Sequence, residues 1–234
     1  MIAPKKQLLS CDEKLAKRGY ILHLDIRKYK DGFDFNSVLI NDKNPVNRSI
    51  AAKKLSSYSK QKDTLALLLS RLLIEKALYT KIEICNALSK SGQDGVIQMI
   101  PLLGSIKNKQ YTCLPTRVSK KKSFPLPRDI IARTIGRMDI SVLPTLLNIY
   151  SDCTQIQKRE LLDAIGYLLF TNNYKDILIY EKLKYCFEYE DDEVIKWKIV
   201  IIFTFLLPYS EVFLKQFSTK DGLLYQEAQK VPNN

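Results

Sequence analysis

The sequence predicts an all-α chain built from repeated helix pairs, and three observations carry that expectation. Apolar residues recur at three- and four-residue spacing along most of the 234 residues, as amphipathic helices require, and strand-like alternation is rare. Five segments match one another column by column, which is the mark of a repeat array. With 46% hydrophobic and 26% charged residues, the chain can bury a sizeable core and lacks the composition of a disordered tail.

The columns are read from the last strongly apolar position of each segment: Leu55, Leu88, Ile135, Ile165 and Phe203. Three residues earlier stand Ala52, Cys85, Ala132, Leu162 and Val200, all apolar. Seven residues earlier stand Arg48, Lys81, Arg128, Lys158 and Lys196, all basic, and nine residues earlier Val46, Tyr79, Leu126, Ile156 and Val194. Six residues before the basic row come Asp42, Glu75, Asp152 and Glu190, with Lys122 in the third segment instead. The basic positions are 33, 47, 30 and 38 residues apart.

Taken in order, residues 1–34 fall outside the repeats and form a capping segment. A helix is expected from Lys5 to Arg18, and Ile21 to Asp25 is ambiguous. Asp34 to Ile40 reads as the second helix of a degenerate repeat, able to cover the exposed end of the core. The array proper spans 35–217 as one continuous domain. Second helices are expected near Thr64–Lys76, Gly95–Ile106, Ser141–Tyr150, Tyr174–Phe187 and Glu211–Phe217, with Asp63 and Ser141 as N-caps. Pro101 should break its helix by removing a backbone donor. Residues 218–234 form a C-terminal cap or tail, with a short helix around Leu223-Leu224-Tyr225.

The acidic–x5–basic pair and the apolar pattern of the first helix resemble the HEAT repeat, particularly the short phycobilisome-lyase-like type. Segment 42–55, DKNPVNRSIAAKKL, is the nearest match. The resemblance implies an α-α superhelix: a right-handed solenoid of about five helix pairs with a concave binding face. It implies scaffolding more than any activity. Within it, Asp42, Arg48, Glu75, Lys81, Arg128, Asp152, Lys158, Glu190 and Lys196 read as a structural ladder. Each acid sits near the positive end of a first helix and can share a basic residue one repeat over.

Sparse residues exclude much chemistry. His23 is the one histidine, so multi-histidine zinc and di-iron sites cannot form within the chain. The five cysteines, Cys11, Cys85, Cys113, Cys153 and Cys186, lie at least 28 residues apart, so no CxxC pair exists. They read as reduced thiols of a cytoplasmic protein, with Cys85 in the core. No glycine-rich phosphate loop is present. The apolar run Ile199 to Leu207 is too short to span a bilayer and reads as a buried helix, and no signal peptide is expected. No cofactor is expected.

The net charge of +12 is unevenly placed. Residues 1–126 carry 24 basic and 10 acidic residues, and residues 127–234 carry 13 and 15. The charge peaks in the longest gap between repeats, an insertion at 104–127 without helical periodicity. Lys107, Lys109, Arg117, Lys120, Lys121 and Lys122 lie there, followed by Arg133 and Arg137 one turn apart. Asp129 is placed to pair with Arg133. The patch reads either as a solvated basic loop or as a site for an anionic partner. The acidic run at 188–193 reads as a helix N-terminal cap.

A non-catalytic protein–protein interaction scaffold is therefore the leading expectation. The alternative is nucleic-acid binding, using the basic patch at 107–137 and stacking by some of the 13 tyrosines. HEAT-like repeats also build alkylpurine DNA glycosylases, but no Trp-plus-Asp catalytic arrangement surrounds Trp197, the single tryptophan. A phycobilin-lyase-like enzyme is the second alternative, and nothing in the sequence specifies a chromophore pocket.

Overall fold

The computed structural model describes residues 11–21, 24–106, 110–119, 123–217 and 222–230. His23, Lys107, Lys109, Lys120, Lys121 and Lys122 lie outside the described residues. The protein is all-α, and among the described residues every regular element is a helix. Each segment expected as a first or second helix contains a helix, but the first helix of the third segment covers only Ile130–Ile135, leaving Leu126 and Arg128 before it, and Gly95–Ile106 is helical only through Leu102. The chain divides into two compact units, Met1–Gly95 and Val96–Asn234.

The first unit contains α1 (Cys11–Ala16), α2 (Phe33–Leu39), α3 (Pro45–Leu55), α4 (Lys62–Ile74) and α5 (Leu78–Leu88). Asn44 starts α3 by accepting a bond from the Val46 N–H, and Pro45 fits the first helical position, where no backbone donor is needed. Ile50, Ala51, Ala52 and Leu55 are buried along α3, and both α2 and α5 pack against it. Leu65, Leu68 and Leu72 bury one face of α4, which packs on α5. Asp63 falls in the first turn of α4 rather than at its N-cap. The N-cap is Gln61, whose side chain makes no cap bond.

Glu75 is fully buried beyond the end of α4 and collects five donors. Arg48 Nε and Nη2 each reach it at 2.8 Å, Arg71 Nε at 3.0 Å, and the Lys76 and Ala77 N–H groups at 2.9 and 2.8 Å. Arg48 Nη1 also donates to the carbonyls of Asp42 and Lys43, so the pair ties α3 to the start of α5. Burial alone would raise the Glu75 carboxyl, but the Arg48, Ala77 and Arg71 bonds outweigh it and hold its pKa at about 2. Nearby, Ser49 and Thr80 share the Pro45 carbonyl. Gly19 passes so close that a Cβ there would lie 2.3 Å from Thr80 Oγ1, and its φ of +82° suits glycine.

The division between units falls inside α6 (Gly92–Met99). It ends just before Pro101, which sits in the 3-10 turn Ile100–Leu102. The second unit continues with α7 (Ile130–Ile135), α8 (Leu143–Ile149), α9 (Gln155–Thr171) and α10 (Ile177–Glu188). It closes with α11 (Glu193–Phe205), α12 (Glu211–Lys215) and α13 (Leu223–Ala228). Helices α7, α9, α11 and α13 pack each on the next, with α8 against α9 and α10 and α12 against α11. Almost every residue of α11 is buried, which accounts for its continuous apolar run.

Acidic and hydroxyl caps start these helices: Asp129 for α7, Thr154 with Gln157 for α9, Asp176 for α10 and Asp192 for α11. Ser141 is not a cap. Asp139 holds the 3-10 turn before α8, accepting from the Ser141 N–H.

Candidate anion-binding cleft

The described part of the 104–127 insertion is anchored to the second unit at four points. Asp129 Oδ2 accepts from the Gly104 N–H and from Gln110 Nε2, closing the base of the loop while Oδ1 caps α7. Burial pushes the Asp129 carboxyl up against those bonds. Arg159 of α9 pairs with Asp192 and reaches the carbonyls of Tyr111 and Thr112. The Tyr111 ring meets Trp197 edge-to-face, with centroids 4.8 Å apart. Phe124 is buried, stacked on Phe170 at 5.2 Å and set against Phe205. Gly166 makes room for it, since a Cβ there would lie 2.9 Å from the Phe124 ring.

Folded down in this way, the loop encloses a cleft. Its inner pocket, of about 80 Å³, is lined by Tyr111, Arg117, Leu126, Arg128, Asp163, Trp197, Ile201 and Glu227. It adjoins an outer cleft of about 860 Å³, lined by loop residues from Tyr111 to Ser119 and from Pro125 to Arg128, Arg117 and Arg128 among them. Arg128 lies over the Tyr111 ring, its Cζ 3.8 Å from the centroid, and Nη2 donates to the phenol oxygen at 2.6 Å. These two contacts hold the guanidinium at the cleft. Both arginines are exposed, and neither has an acidic partner among the described residues.

The floor is acidic and largely internally bonded. Lys198, 2% exposed, donates to the Arg159 carbonyl, to Glu160 Oε1 at 3.2 Å and to Asp163 Oδ2 at 3.0 Å. Glu160 Oε2 is buried without a partner. Burial drives the Glu160 carboxyl up to about 7; the Asp163 and Asp129 charges add to this, and Lys198 opposes it. Glu227 accepts the Trp197 indole N–H at 3.1 Å and a bond from Lys230. Asp163 and Trp197, from adjacent helices, thus share one pocket, although nothing near Trp197 in the sequence foretells it.

The other expected site residues are placed differently. Arg133 does not pair with Asp129, whose carboxylate is committed to the cap. Both Arg133 Nε and Nη2 donate to the Pro127 carbonyl instead. Arg137 is exposed beyond the end of α7 and does not line the cleft. In the ladder row, Arg48 and Glu75 meet. Asp42 accepts from the Asn44 N–H, Asp152 from Ser151, and Lys81 is half-buried on α5. Lys158 lies over the Tyr150 ring at 5.5 Å, whereas Glu190 accepts from Gln155 and two backbone N–H groups. The ion pair between α9 and the start of α11 is Arg159–Asp192, one and two residues farther on. Lys196 sits by Glu193 and over Phe187.

The described residues hold no cluster of His, Cys, Asp or Glu able to bind a metal, and no helix long and apolar enough to cross a membrane. Fold and cleft together define an all-α protein with an arginine-edged pocket. No family model, curated protein or solved structure matches the chain.

Proposed function

We propose that this is a non-catalytic binding protein and that an acidic segment of a protein partner docks at the Arg117–Arg128 cleft. One observation carries the reading: these two arginines face one concavity without acidic partners, while Arg48, Arg71 and Arg159 are each committed to a carboxylate. Guanidinium groups form paired bonds with carboxylates, and the Tyr111 stack holds Arg128 oriented before a partner arrives. A HEAT-like stacking of helix pairs, proposed from the repeat columns, would make the helices of the second unit the support for this cleft.

Nucleic acid is the weaker reading. One face of Tyr111 is covered by Arg128, and Trp197 is buried, which leaves little open ring for a base to stack on. A cavity of about 150 Å³ holds a benzene ring. The inner pocket, at about 80 Å³, is roughly half that and does not favour an extruded base. Salt-dependent binding of a single-stranded oligonucleotide that is lost in the Arg117→Glu/Arg128→Glu variant would reverse the order of the two readings. Affinity capture with mass spectrometry, comparing the natural chain with that variant, tests the protein reading directly.

A further inference from the structure

Glu160 of α9 is 1% exposed, and only Oε1 has a partner, Lys198 of α11; Oε2 is buried and finds none among the described residues. Asp163, one turn along α9, draws on the same ammonium, and Asp129 stands near at the start of α7. Other charged groups of these helices are engaged elsewhere: Arg159 with Asp192, Lys158 over Tyr150, Arg133 with the Pro127 carbonyl and Glu193 with Lys196. Helix α8 and the Ile100–Leu102 turn, which also pack on α9, bring no ionisable side chain. Ionised, Glu160 is a third carboxylate beside one ammonium, with one oxygen dry; a neutral carboxyl costs far less to bury. Its cover on the insertion side is Gly104, where a Cβ would lie 3.9 Å from Glu160 Cγ and 2.3 Å from Ile156. Gly104 N–H and Gln110 Nε2 are each held by Asp129 at 3.3 Å, longer than the roughly 2.9 Å usual for such bonds.

We propose that Glu160 is a proton-binding site that controls how firmly the described base of the insertion, Gly104 and Gln110 to Thr112, is seated on the second unit. With a proton on Oε2, Asp163 and Lys198 balance each other and the base stays down, Tyr111 packed on Trp197 and Arg128 on Tyr111. Loss of the proton favours entry of water to Oε2. The Gly104 side gives way first, because the alternative is to part α7, α9 and α11, whose packed faces bury Ile131, Leu161 and Ile199. Burial holds the Glu160 proton up to about 7, the Asp163 and Asp129 charges adding to this and Lys198 opposing it, so the exchange falls near neutrality. The folded value lies above the ordinary 4.5, so seating is full in acid and is lost as pH rises through 7. Through Tyr111, the same proton sets the arrangement of the arginine-edged cleft, whatever that cleft binds.

Trp197, the single tryptophan, is buried and meets the Tyr111 ring, so its fluorescence reports the seating. Titrated from about pH 5.5 to about 8.5, its emission should move to longer wavelength with a one-proton midpoint near 7, as the ring withdraws and water reaches the indole. Glu160→Gln, which is always neutral, should keep the short-wavelength emission throughout. His23→Gln, which removes the one histidine, should titrate as the natural chain does. A carbon-13 spectrum of the natural chain labelled at its glutamate carboxyls should show one that titrates with the same midpoint as the emission, a reading that needs no variant. Constant emission, a transition that persists in Glu160→Gln or vanishes in His23→Gln, or carboxyl and emission midpoints that differ would each overturn the proposal.

Discussion

Replacing Glu75 with glutamine tests the physical core of the first unit. The substitution keeps the shape and removes one negative charge that five donors share, leaving Arg48 and Arg71 without a counterion in a site where Glu75 is fully buried. Breaking a buried ion pair by removing one partner costs about 3–5 kcal/mol. The lowered pKa of Glu75 gives a similar size by a separate route. Glu75 holds its proton at about 2 instead of near 4.5, a difference worth about 3 kcal/mol. Because the folded value lies below the unfolded one, this stability is fully present above pH 4.5 and is lost as pH falls towards 2. Hydrogen exchange of the α3 and α5 amides at pH 7 is the assay. About 3 kcal/mol corresponds to a roughly hundredfold faster exchange for the slowest of them. Arg48→Met should cost less, since Arg71 and two N–H groups still hold Glu75. The double variant should be about 1–3 kcal/mol less damaged than the two single losses added together. Exchange accelerated less than threefold by Glu75→Gln, or strictly additive losses, would refute this reasoning.

Three further outcomes are expected. Gly19→Ala should destabilise the first unit by about 2–3 kcal/mol in urea unfolding, because its Cβ meets Thr80 and Ser49 at a left-handed φ; a neutral effect contradicts the close approach. Glu160, with its proton held up to about 7, contributes stability that is present below pH 4.5 and lost as pH rises through 7; Glu160→Gln should flatten thermal stability between pH 5 and 8. Of the five thiols, Cys11 and Cys113 should react rapidly with a disulfide reagent in the folded protein, while buried Cys85 and Cys153 react only on unfolding.

Much of the fold was legible because helix pairs repeat a burial pattern. Ile50, Leu55, Leu88, Ile135, Ile165 and Phe203 face inward at the spacing that three- and four-residue periodicity demands. Caps were harder to place. Asp63 lies inside the first turn of its helix and Asp139 outdoes Ser141, since any of several neighbouring polar residues can serve and only the backbone angles decide. Of the basic row, Arg48 meets Glu75. In the fourth segment the columns selected Lys158, yet the neighbouring Arg159 makes the ion pair, reaching Asp192. The cleft was mostly hidden. Tyr111, Asp163, Trp197 and Glu227 come from a loop without periodicity and three different helices, and no spacing rule links them. One trace was present: Gly166 stands within the apolar face of α9, where Phe124 from the loop packs close against it.

The role assigned to the arginine-edged cleft is tested most directly by capture from cell extract with the natural chain and with the Arg117→Glu/Arg128→Glu variant, in low and moderate salt. Both arginines are exposed and support no other described contact than the Tyr111 stack, so the variant should fold normally. The predicted result is a protein with an acidic segment that the natural chain retains, that salt weakens, and that the variant loses. Equal retention by both chains would contradict it.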